Sequence, residues 1–469
     1  MKRHAPSEVS VVALTGTNGQ AAASGAIAPA KPVRERLWNR NFMLLWQGQL
    51  ISSVGKQAFA LTCMLAIKDL TGSGSIMGLL MSAAILPSVV LGPVAGVFVD
   101  RLDRRRLIAY TDIAGGLFVL IAFAALFFLD AYPSIVIAAL FAVTVATGLL
   151  DTFSQPAIGA SIPDLVPESR LEAANGMNMG GVQIAVFVAQ GAAGLLYRIL
   201  GTAVMTLVNA VTYLYAGIVE LFIRMPVRPA GRGAADTEDT GDTGDTGAAT
   251  ARAHPWKRFL AELGEGLRFV VARDGMLATL LSFACINFFA APVLVTLPFY
   301  TTEYLGLGSQ WYGYMMAAFG VGAMTGYVLV ASIPTRGKAR AASLLGCLAL
   351  EAVLIAAALS PMPAWLAVGV LFAVGVANGV VNVNVATLFQ LATPRELLGR
   401  VNALSNTVSG AAMPLGMALA GIAFDLSGQN VPLMFGASSV AMLASIVAPM
   451  IASRGFLRFL STDAARGAA

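Results

Sequence analysis

The sequence predicts an all-α membrane protein with twelve transmembrane helices in two pseudo-symmetric six-helix halves. Of its 469 residues, 57% are hydrophobic and 12% are charged, whereas a soluble domain carries about 25% charged residues. The apolar residues also form blocks of about twenty, the length that crosses the hydrocarbon core of a bilayer as a helix. Lysines and arginines collect in the loops on one side, and the second half repeats features of the first.

The apolar blocks give twelve spans, six on each side of a polar central segment. The predicted spans are residues 42–67, 76–99, 107–129, 133–155, 173–196, 202–223, 277–301, 311–333, 341–360, 364–390, 401–424 and 431–452. The predicted domains are a disordered cytoplasmic tail (1–36), an N-terminal half (37–224), a disordered cytoplasmic linker (225–255), an interfacial helix with the C-terminal half (256–455), and a cytoplasmic tail (456–469).

The central segment is assigned from its composition. Residues 237–247 repeat threonine, glycine and aspartate without an apolar face, which is typical of a disordered linker. Residues 256–273 then carry apolar side chains at helical spacing between charges, which predicts a helix at the membrane interface.

The distribution of positive charge predicts the orientation in the membrane. On the side that holds both termini lie 27 of the 30 lysines and arginines. Loops rich in lysine and arginine face the cytoplasm. We therefore expect a multi-pass protein of the bacterial cytoplasmic (inner) membrane with both termini in the cytoplasm, which requires an even number of spans.

One loop and the span that follows it recur in both halves. Pro167, Leu171 and Asn175 match Pro394, Leu398 and Asn402 at a constant offset of 227 residues, and the same offset takes Gly194 to Gly421. Duplicated halves of this kind place a substrate site near the middle of the membrane, and rocking of the halves alternates its access.

The most specific motif ends span two. It runs Gly92-Pro-Val-Ala-Gly96-Val-Phe-Val-Asp100-Arg101-Leu-Asp103-Arg104-Arg105-Arg106. Two glycines four residues apart allow another helix to approach closely. The pattern resembles the loop between helices two and three of the major facilitator superfamily. This resemblance implies the major facilitator fold and a cytoplasmic gate made by Gly92, Gly96, Asp100, Arg101, Arg104, Arg105 and, on span three, Asp112.

Four further stretches narrow the resemblance, at residues 48–55, 70–78, 162–175 and 265–269. Together they resemble the drug:proton antiporter branch that includes macrolide efflux proteins and the enterobactin exporter. Two departures concern proton coupling. Many relatives carry an acidic residue where this chain has Lys56, and span four lacks the arginine that other branches place there.

Charged side chains within spans are costly and indicate function. Lys56 lies deepest, on a face of span one that also carries Gln49, Ser52, Phe59 and Cys63. The resemblance implies that this helix lines the cavity. We expect Lys56 to bind an anionic group or to pair with a cavity carboxylate; the alternative is a structural ion pair without a role in transport.

Asp151 shares a face of span four with Thr144 and Thr147, and the resemblance implies that this span also lines the cavity. Buried carboxyls are common proton carriers in transporters, so Asp151 is predicted as a coupling residue. Asp112 lies near the cytoplasmic end of span three, where pairing with Arg104–Arg106 and proton coupling are both open. Further amide side chains are predicted to face the cavity, with interhelix bonding as the alternative: Gln183, Gln190, Asn287, Asn378 and Asn382.

These features predict a secondary active exporter that moves small amphipathic, drug-like or macrolide-like compounds by alternating access, coupled to protons. Export of a siderophore or other secondary metabolite is the alternative within the class, and a non-transporting sensor or assembly partner is the alternative outside it. The expected partners are a small-molecule substrate, protons and membrane lipids, without nucleic acid, and the chain is expected to be monomeric. No phosphate-binding Gly-x-x-x-x-Gly-Lys loop and no nucleophile–histidine pair is found. We therefore predict neither an enzyme, nor a cofactor, nor a metal site.

Overall fold

The computed structural model describes residues 37–99, 102–224, 255–333 and 335–462, with the predicted tail 1–36, linker residues 225–254 and residues 463–469 outside them. All regular structure in these ranges is helical. The helices are α1 (Arg40–Thr71), α2 (Gly74–Val99), α3 (Arg104–Phe128), α4 (Pro133–Leu165), α5 (Leu171–Glu220), α6 (Pro255–Ala272), α7 (Met276–Phe299), α8 (Ser309–Ser332), α9 (Gly337–Ala357), α10 (Ala364–Ala392), α11 (Arg395–Leu426), α12 (Val431–Ala452) and α13 (Arg454–Leu460). A single 3₁₀ turn (Glu168–Arg170) precedes α5, and a π-helical turn (Tyr300–Tyr304) follows α7.

Helix α5 combines predicted spans five and six, so the described residues hold eleven continuous helices long and apolar enough to cross a membrane. Its backbone breaks at Gly201, where φ is 74° and ψ is 174°. The Trp46 indole donates to the Met177 carbonyl, and Gly48 of the same α1 turn lies against Ala216. Residues 177 and 216 would be about 58 Å apart in one straight helix. The helix is therefore a hairpin of two spans, which gives the predicted twelve.

Other predicted boundaries shift by a few residues. Helix α4 continues about ten residues beyond the predicted end at 155, through Pro156 and Pro163, because a proline removes only one helical hydrogen bond and neighbouring helices support the break. The predicted tail from residue 456 begins instead inside helix α13, whose Phe456, Phe459 and Leu460 are buried.

The ends of α1 illustrate how local sequence sets the helix limits. The Asn39 side chain accepts a hydrogen bond from the Phe42 amide at 2.9 Å, which satisfies one free donor of the first turn. At the other end Gly72 has a φ of 59°, and its amide donates to the Lys68 carbonyl at 2.8 Å. A glycine in this left-handed conformation ends the helix and turns the chain into α2.

Helix α6 begins the second half, as the spacing of its apolar residues predicts. Val270 is buried, and Gly266 packs against the backbone at Arg400 of α11. Leu260, Leu267 and Val271 are exposed on the other side of the helix. The helix therefore has an apolar face available to lipid beside the one that packs on the protein.

The two membrane ends of the protein differ in charge. We call the end that carries Arg104, Arg105, Arg340 and Arg400 the basic face, and the end at the turn Gly72–Ser73 the opposite face. At the opposite face the halves are in direct contact. The Asp425 carboxylate of α11 accepts hydrogen bonds from the Ser73 hydroxyl (2.6 Å) and the Gly74 and Ser75 amides (2.8 and 2.9 Å).

Small residues let helices of the two halves touch at the opposite face. A Cβ placed on Gly421 of α11 would lie 2.2 Å from the Gly74 carbonyl oxygen of α2, and one on Gly194 of α5 would lie 2.8 Å from the Ser309 carbonyl oxygen at the start of α8. These are the two glycines related by the internal repeat. The repeat therefore marks the two equivalent crossings, α2 with α11 and α5 with α8.

The halves separate towards the basic face. Between α2 and α11 lies a cleft of about 370 Å³, lined by Ser88 and Gly92 on one side and by Asn406 and Gly410 on the other. Ile85 lines both this cleft and the cavity described below. The structure is thus closed at the opposite face and open towards the basic face.

Replacing Gly421 with alanine is expected to destabilise the closed opposite face. The added methyl group would meet backbone atoms, which cannot rotate away, so α2 and α11 must separate; overpacking of this kind costs about 1–3 kcal/mol. A lower thermal unfolding temperature in detergent is the measurement. Gly410→Ala on the same helix is the matched control, because nothing lies within 4 Å of its added methyl group. Equal unfolding temperatures for the two variants would contradict the prediction.

Candidate functional site

The polar face of α1 forms the centre of the site. Gln49, Ser52, Phe59 and Cys63 are all buried, and the ammonium of Lys56 lies between them on the same helical face. Gly55, beside Lys56, has no room for a Cβ because the Thr212 hydroxyl lies 1.9 Å from that position. Close approach of α1 to the second segment of α5 therefore buries this face.

Lys56 is the only ammonium or guanidinium group in this part of the described chain, and it contacts two carboxylates. Its Nζ lies 2.7 Å from Asp151 Oδ1 on α4 and 3.8 Å from Asp112 Oδ1 on α3. It also lies 4.6 Å from the centre of the Tyr213 ring on α5, a cation–π arrangement. Four helices of the first half thus meet at one side chain.

A third carboxyl joins the cluster through an amide. Gln49 Nε2 donates to Asp112 Oδ2 at 3.1 Å and to Glu220 Oε1 at 2.7 Å. Asp112 and Glu220 are almost completely buried, at 1% and 0% exposure. We call Lys56, Asp151, Asp112, Gln49 and Glu220 the charged cluster.

A cavity of about 450 Å³ adjoins the charged cluster. Lys56, Asp151, Tyr213, Thr144 and Asn209 supply its polar wall. The remaining wall is apolar and is formed mainly by Phe59, Ala60, Cys63, Met64, Leu80, Met81, Ala84, Ile85 and Met417. A site with a few polar groups on one side of an apolar cavity is typical of small-molecule binding. All of these residues except Met417 belong to the first half.

The five predicted amide residues lie away from this cavity. Asn287 donates to the Phe283 carbonyl within α7, and Asn382 donates to the Asn378 side chain one turn earlier in α10, both at 2.9 Å. Gln183 and Gln190 are half-buried on α5. Near them Phe187 packs on Gly320 of α8. The charged cluster includes Lys56, Asp151 and Gln49 of the predicted coupling residues, and none of these five amides.

The gating residues are described in part. Asp100 and Arg101 lie outside the described residues, as do the surroundings of Gly96; Gly92 lines the cleft at the basic face. The Arg104 guanidinium bonds to Asp164 at 3.0 Å and to the Ala160 carbonyl at 2.8 Å, which ties α3 to α4. The Arg105 guanidinium donates to the Leu221 carbonyl.

Asp112 belongs to the charged cluster rather than to the gate. Pairing with Arg104–Arg106 was one of two alternatives that the sequence left open for Asp112; in the structure its carboxylate contacts Lys56 and Gln49. The reason is geometric: Asp112 lies two turns beyond the arginines and faces α1, whereas Arg104 and Arg105 reach α4 and the end of α5.

Sequence reasoning missed three side chains of the second α5 segment. Asn209, Tyr213 and Glu220 recur at spacings of four and seven residues, so they lie on one helical face, which packs against the polar face of α1. Glu220 lies near the end of the span, where a carboxyl can reach the membrane interface, but its side chain is fully buried. The helical spacing with Asn209 and Tyr213 was the available signal.

Among the described residues of the second half, one carboxyl is buried. Glu351 of α9 is 4% exposed and lies beside the Asn378 side chain. Among the described residues no group of three or more histidines, cysteines, aspartates and glutamates is placed to hold a metal ion.

Twelve spans in two halves, closed at one face around a polar-walled cavity, define a multi-pass membrane transporter. Residues 45–417 match the sequence profile of the Major Facilitator Superfamily, and the chain belongs to that family.

Curated relatives confirm the predicted resemblance to macrolide efflux proteins. Macrolide efflux protein A of Streptococcus pyogenes is 24% identical over 419 residues, which cover 88% of this chain and 96% of the relative. The protein of the same name from Enterococcus faecalis is 25% identical over 362 residues, which cover 73% of this chain and all of the relative.

Solved structures have the same fold. A bacterial homologue of the iron transporter ferroportin, in an inward-facing state, superposes with a TM-score of 0.64 at 16% identity and covers 90% of this chain and 99% of its own. A bacterial homologue of the lysosomal transporter Spinster gives a TM-score of 0.59 at 17% identity and covers 89% of this chain and 96% of its own.

Proposed function

We propose that the protein is a proton-coupled exporter of small amphipathic compounds of the macrolide type, working by alternating access. The observation that carries this proposal is the Lys56–Asp151 ion pair in the wall of the cavity, 2.7 Å between charged atoms. The similarity to macrolide efflux proteins supports the substrate class. The apolar wall with Met64, Met81 and Met417 supports it further, because flexible thioethers adapt to varied ligands.

The proposed location is the bacterial inner membrane with the basic face in the cytoplasm. The excess of lysine and arginine on that side supports this orientation. The cavity is then open to the cytoplasm and closed at the opposite face. This is the state in which an exporter takes up its substrate. Residues 37–224 and 256–455 act as the two rocking halves.

Coupling follows because Lys56 and a proton compete for the Asp151 carboxylate. In the cytoplasm-open state Lys56 forms an ion pair with the Asp151 carboxylate. In the state open to the other side, where the medium is more acidic, a proton on Asp151 releases the ammonium towards Asp112, 3.8 Å away. Each cycle then exchanges a substrate outward for a proton inward.

The substitution Asp151→Asn tests coupling. It removes the titrating carboxyl but keeps the size and hydrogen-bonding ability of the side chain, so we expect export driven by a pH gradient to fall at least about 10-fold. Gradient-free exchange of labelled against unlabelled erythromycin in proteoliposomes is expected to continue, because rocking with bound substrate needs no proton transfer.

The matched control is Asp130→Asn, a carboxylate exposed in the turn after α3. It is expected to leave both activities unchanged. Wild-type gradient-driven export by Asp151→Asn would overturn the coupling role, and an unmodified protein that moves no macrolide would overturn the substrate class.

Export of an anionic siderophore-type metabolite is the second candidate. The observation that favours it is the Lys56 ammonium at the cavity wall, which can bind an anionic group when Asp151 is protonated. Competition experiments separate the two: a catecholate siderophore would inhibit erythromycin efflux only if it occupies the same cavity.

A further inference from the structure

We infer that Glu220 is a second proton-binding carboxyl, separate from the substrate-facing Asp151 and placed towards the basic face. This inference deepens the proposed function and rests on it. Glu220 is the last residue of α5, fully buried, and its Oε1 accepts a hydrogen bond from Gln49 at 2.7 Å. Its other oxygen, Oε2, is buried without a hydrogen-bond partner.

The charge balance of the cluster requires bound protons. Asp151, Asp112 and Glu220 share one ammonium, that of Lys56. Full ionisation would leave two negative charges without a counter-ion inside the membrane, where an uncompensated charge is costly. Proton binding removes this cost without any change in packing.

The geometry selects Glu220 among the three carboxyls. Asp151 contacts the ammonium directly, and 35% of its side chain is exposed to the cavity, so a negative charge there has both a counter-ion and solvent. Asp112 is within 3.8 Å of the same ammonium. Glu220 is connected to it only through the Gln49 amide, and it alone has a buried oxygen without a donor. An ionised carboxylate needs donors at both oxygens, and a neutral carboxylic acid tolerates their absence better.

The surroundings of Glu220 hold few other charges. Among the described residues no ion pair reaches it. The charged groups near it on neighbouring elements are Lys56 of α1 and Asp112 and Arg105 of α3. Arg105 donates to the carbonyl of Leu221, the next residue. Glu220 therefore lies between the charged cluster and the basic face.

The consequence is a division of roles. Substrate meets Asp151 at the cavity, and Glu220, beside Gln49 and therefore nearer the basic face, binds a further proton away from the substrate. Gln49 acts as a positioning residue, because its single amide nitrogen donates to both Asp112 and Glu220.

Infrared spectroscopy of the full chain in lipid, without substrate, tests the inference directly. A pH titration is expected to show the C=O stretch of a protonated carboxylic acid that Glu220→Gln removes. Asp151→Asn and Glu172→Gln, a carboxyl exposed in the first turn of α5, are expected to keep it. Glu220→Asp, which restores a carboxyl, is expected to restore a shifted band.

Transport separates this inference from the proposed function. Glu220→Gln is expected to lose gradient-driven erythromycin export at least about 10-fold while keeping gradient-free exchange. A band that persists in Glu220→Gln, or full gradient-driven export by that variant, overturns the inference. If unmodified protein moves no erythromycin, the proposed function fails, and the infrared result still decides whether Glu220 binds a proton.

Discussion

Replacing Lys56 with methionine is expected to abolish gradient-driven export, with a loss of at least about 100-fold. The ammonium is shared by Asp151 at 2.7 Å and Asp112 at 3.8 Å, and methionine keeps the bulk of the side chain without its charge. Removing one partner of a buried ion pair costs about 3–5 kcal/mol, since the remaining charge has no counter-ion. The carboxyls must then take up protons permanently, and a carboxyl that never releases its proton cannot couple transport.

Two further variants separate this effect from a general loss of folding. Lys68→Met is the comparison variant: it breaks another lysine pair, Lys68 with Glu303 at 2.8 Å, which joins the two halves at the opposite face away from the charged cluster, and it is expected to leave proton coupling in place. The double variant Lys56→Met with Asp151→Asn restores the charge balance. It is expected to recover the thermal unfolding temperature lost by Lys56→Met, but not coupled export. Wild-type export by the single variant would leave Lys56 as a structural ion pair only.

Replacing Asp425 with asparagine is expected to open the opposite face. The carboxylate accepts three hydrogen bonds from the start of α2, and two of the donors are backbone amides at a helix N-terminus. Hydrogen bonds to a charged group contribute about 1.5–3 kcal/mol each, and a negative charge at a helix N-terminus adds about 0.3–1 kcal/mol. An asparagine at this position would place its NH₂ group against the hydroxyl and amide donors of α2, where no acceptor is available. The closed state is therefore expected to lose about 2–3 kcal/mol, or roughly 30- to 150-fold in population.

Spin-label distances measure this change. Phe128 and Trp365 are exposed at the opposite face, one in each half, and cysteines at these positions in a background without the native cysteines report how far the halves separate. The variant is expected to populate a longer distance. Asp69→Asn is the control at the same face, because Asp69 accepts from the Tyr197 hydroxyl at 2.6 Å within one half. An unchanged distance distribution in Asp425→Asn would contradict the role of this contact.

Much of the architecture could be predicted from local patterns. The apolar blocks and the internal repeat predicted the spans. Each membrane helix satisfies its backbone hydrogen bonds internally, so its length can be read from one continuous apolar segment. The predicted break between span five (173–196) and span six (202–223) is confirmed at Gly201, although no long polar loop lies there; packing on α1 fixes how the two spans fold back on each other.

Sequence reasoning predicted the part of the site that lies on a single helix, but not the contacts between helices. The spacing of Gln49 and Lys56 indicated a polar face of α1, but the partners of that face come from α3, α4 and α5. Whether Glu220 is buried or reaches the interface depends on how closely α5 approaches α1 at Gly48, where the Glu220 carboxyl lies 3.5 Å from a Cβ position. Such distances arise from packing over long sequence separations. The contact of Asp425 with α2 lies beyond local patterns for the same reason.

The glycines of α8 and α10 have a practical consequence. Cβ positions on Gly322 and Gly326 would lie 2.2 and 2.4 Å from the Phe372 and Val376 carbonyl oxygens, and the Cβ position on Gly379 would lie 2.2 Å from that of Ala323. Backbones this close cannot slide without collision, so the two helices move together. Probes attached to their outer surfaces therefore keep a constant distance during the transport cycle. Displacements of α2, α5 or α11 can be measured relative to that reference distance.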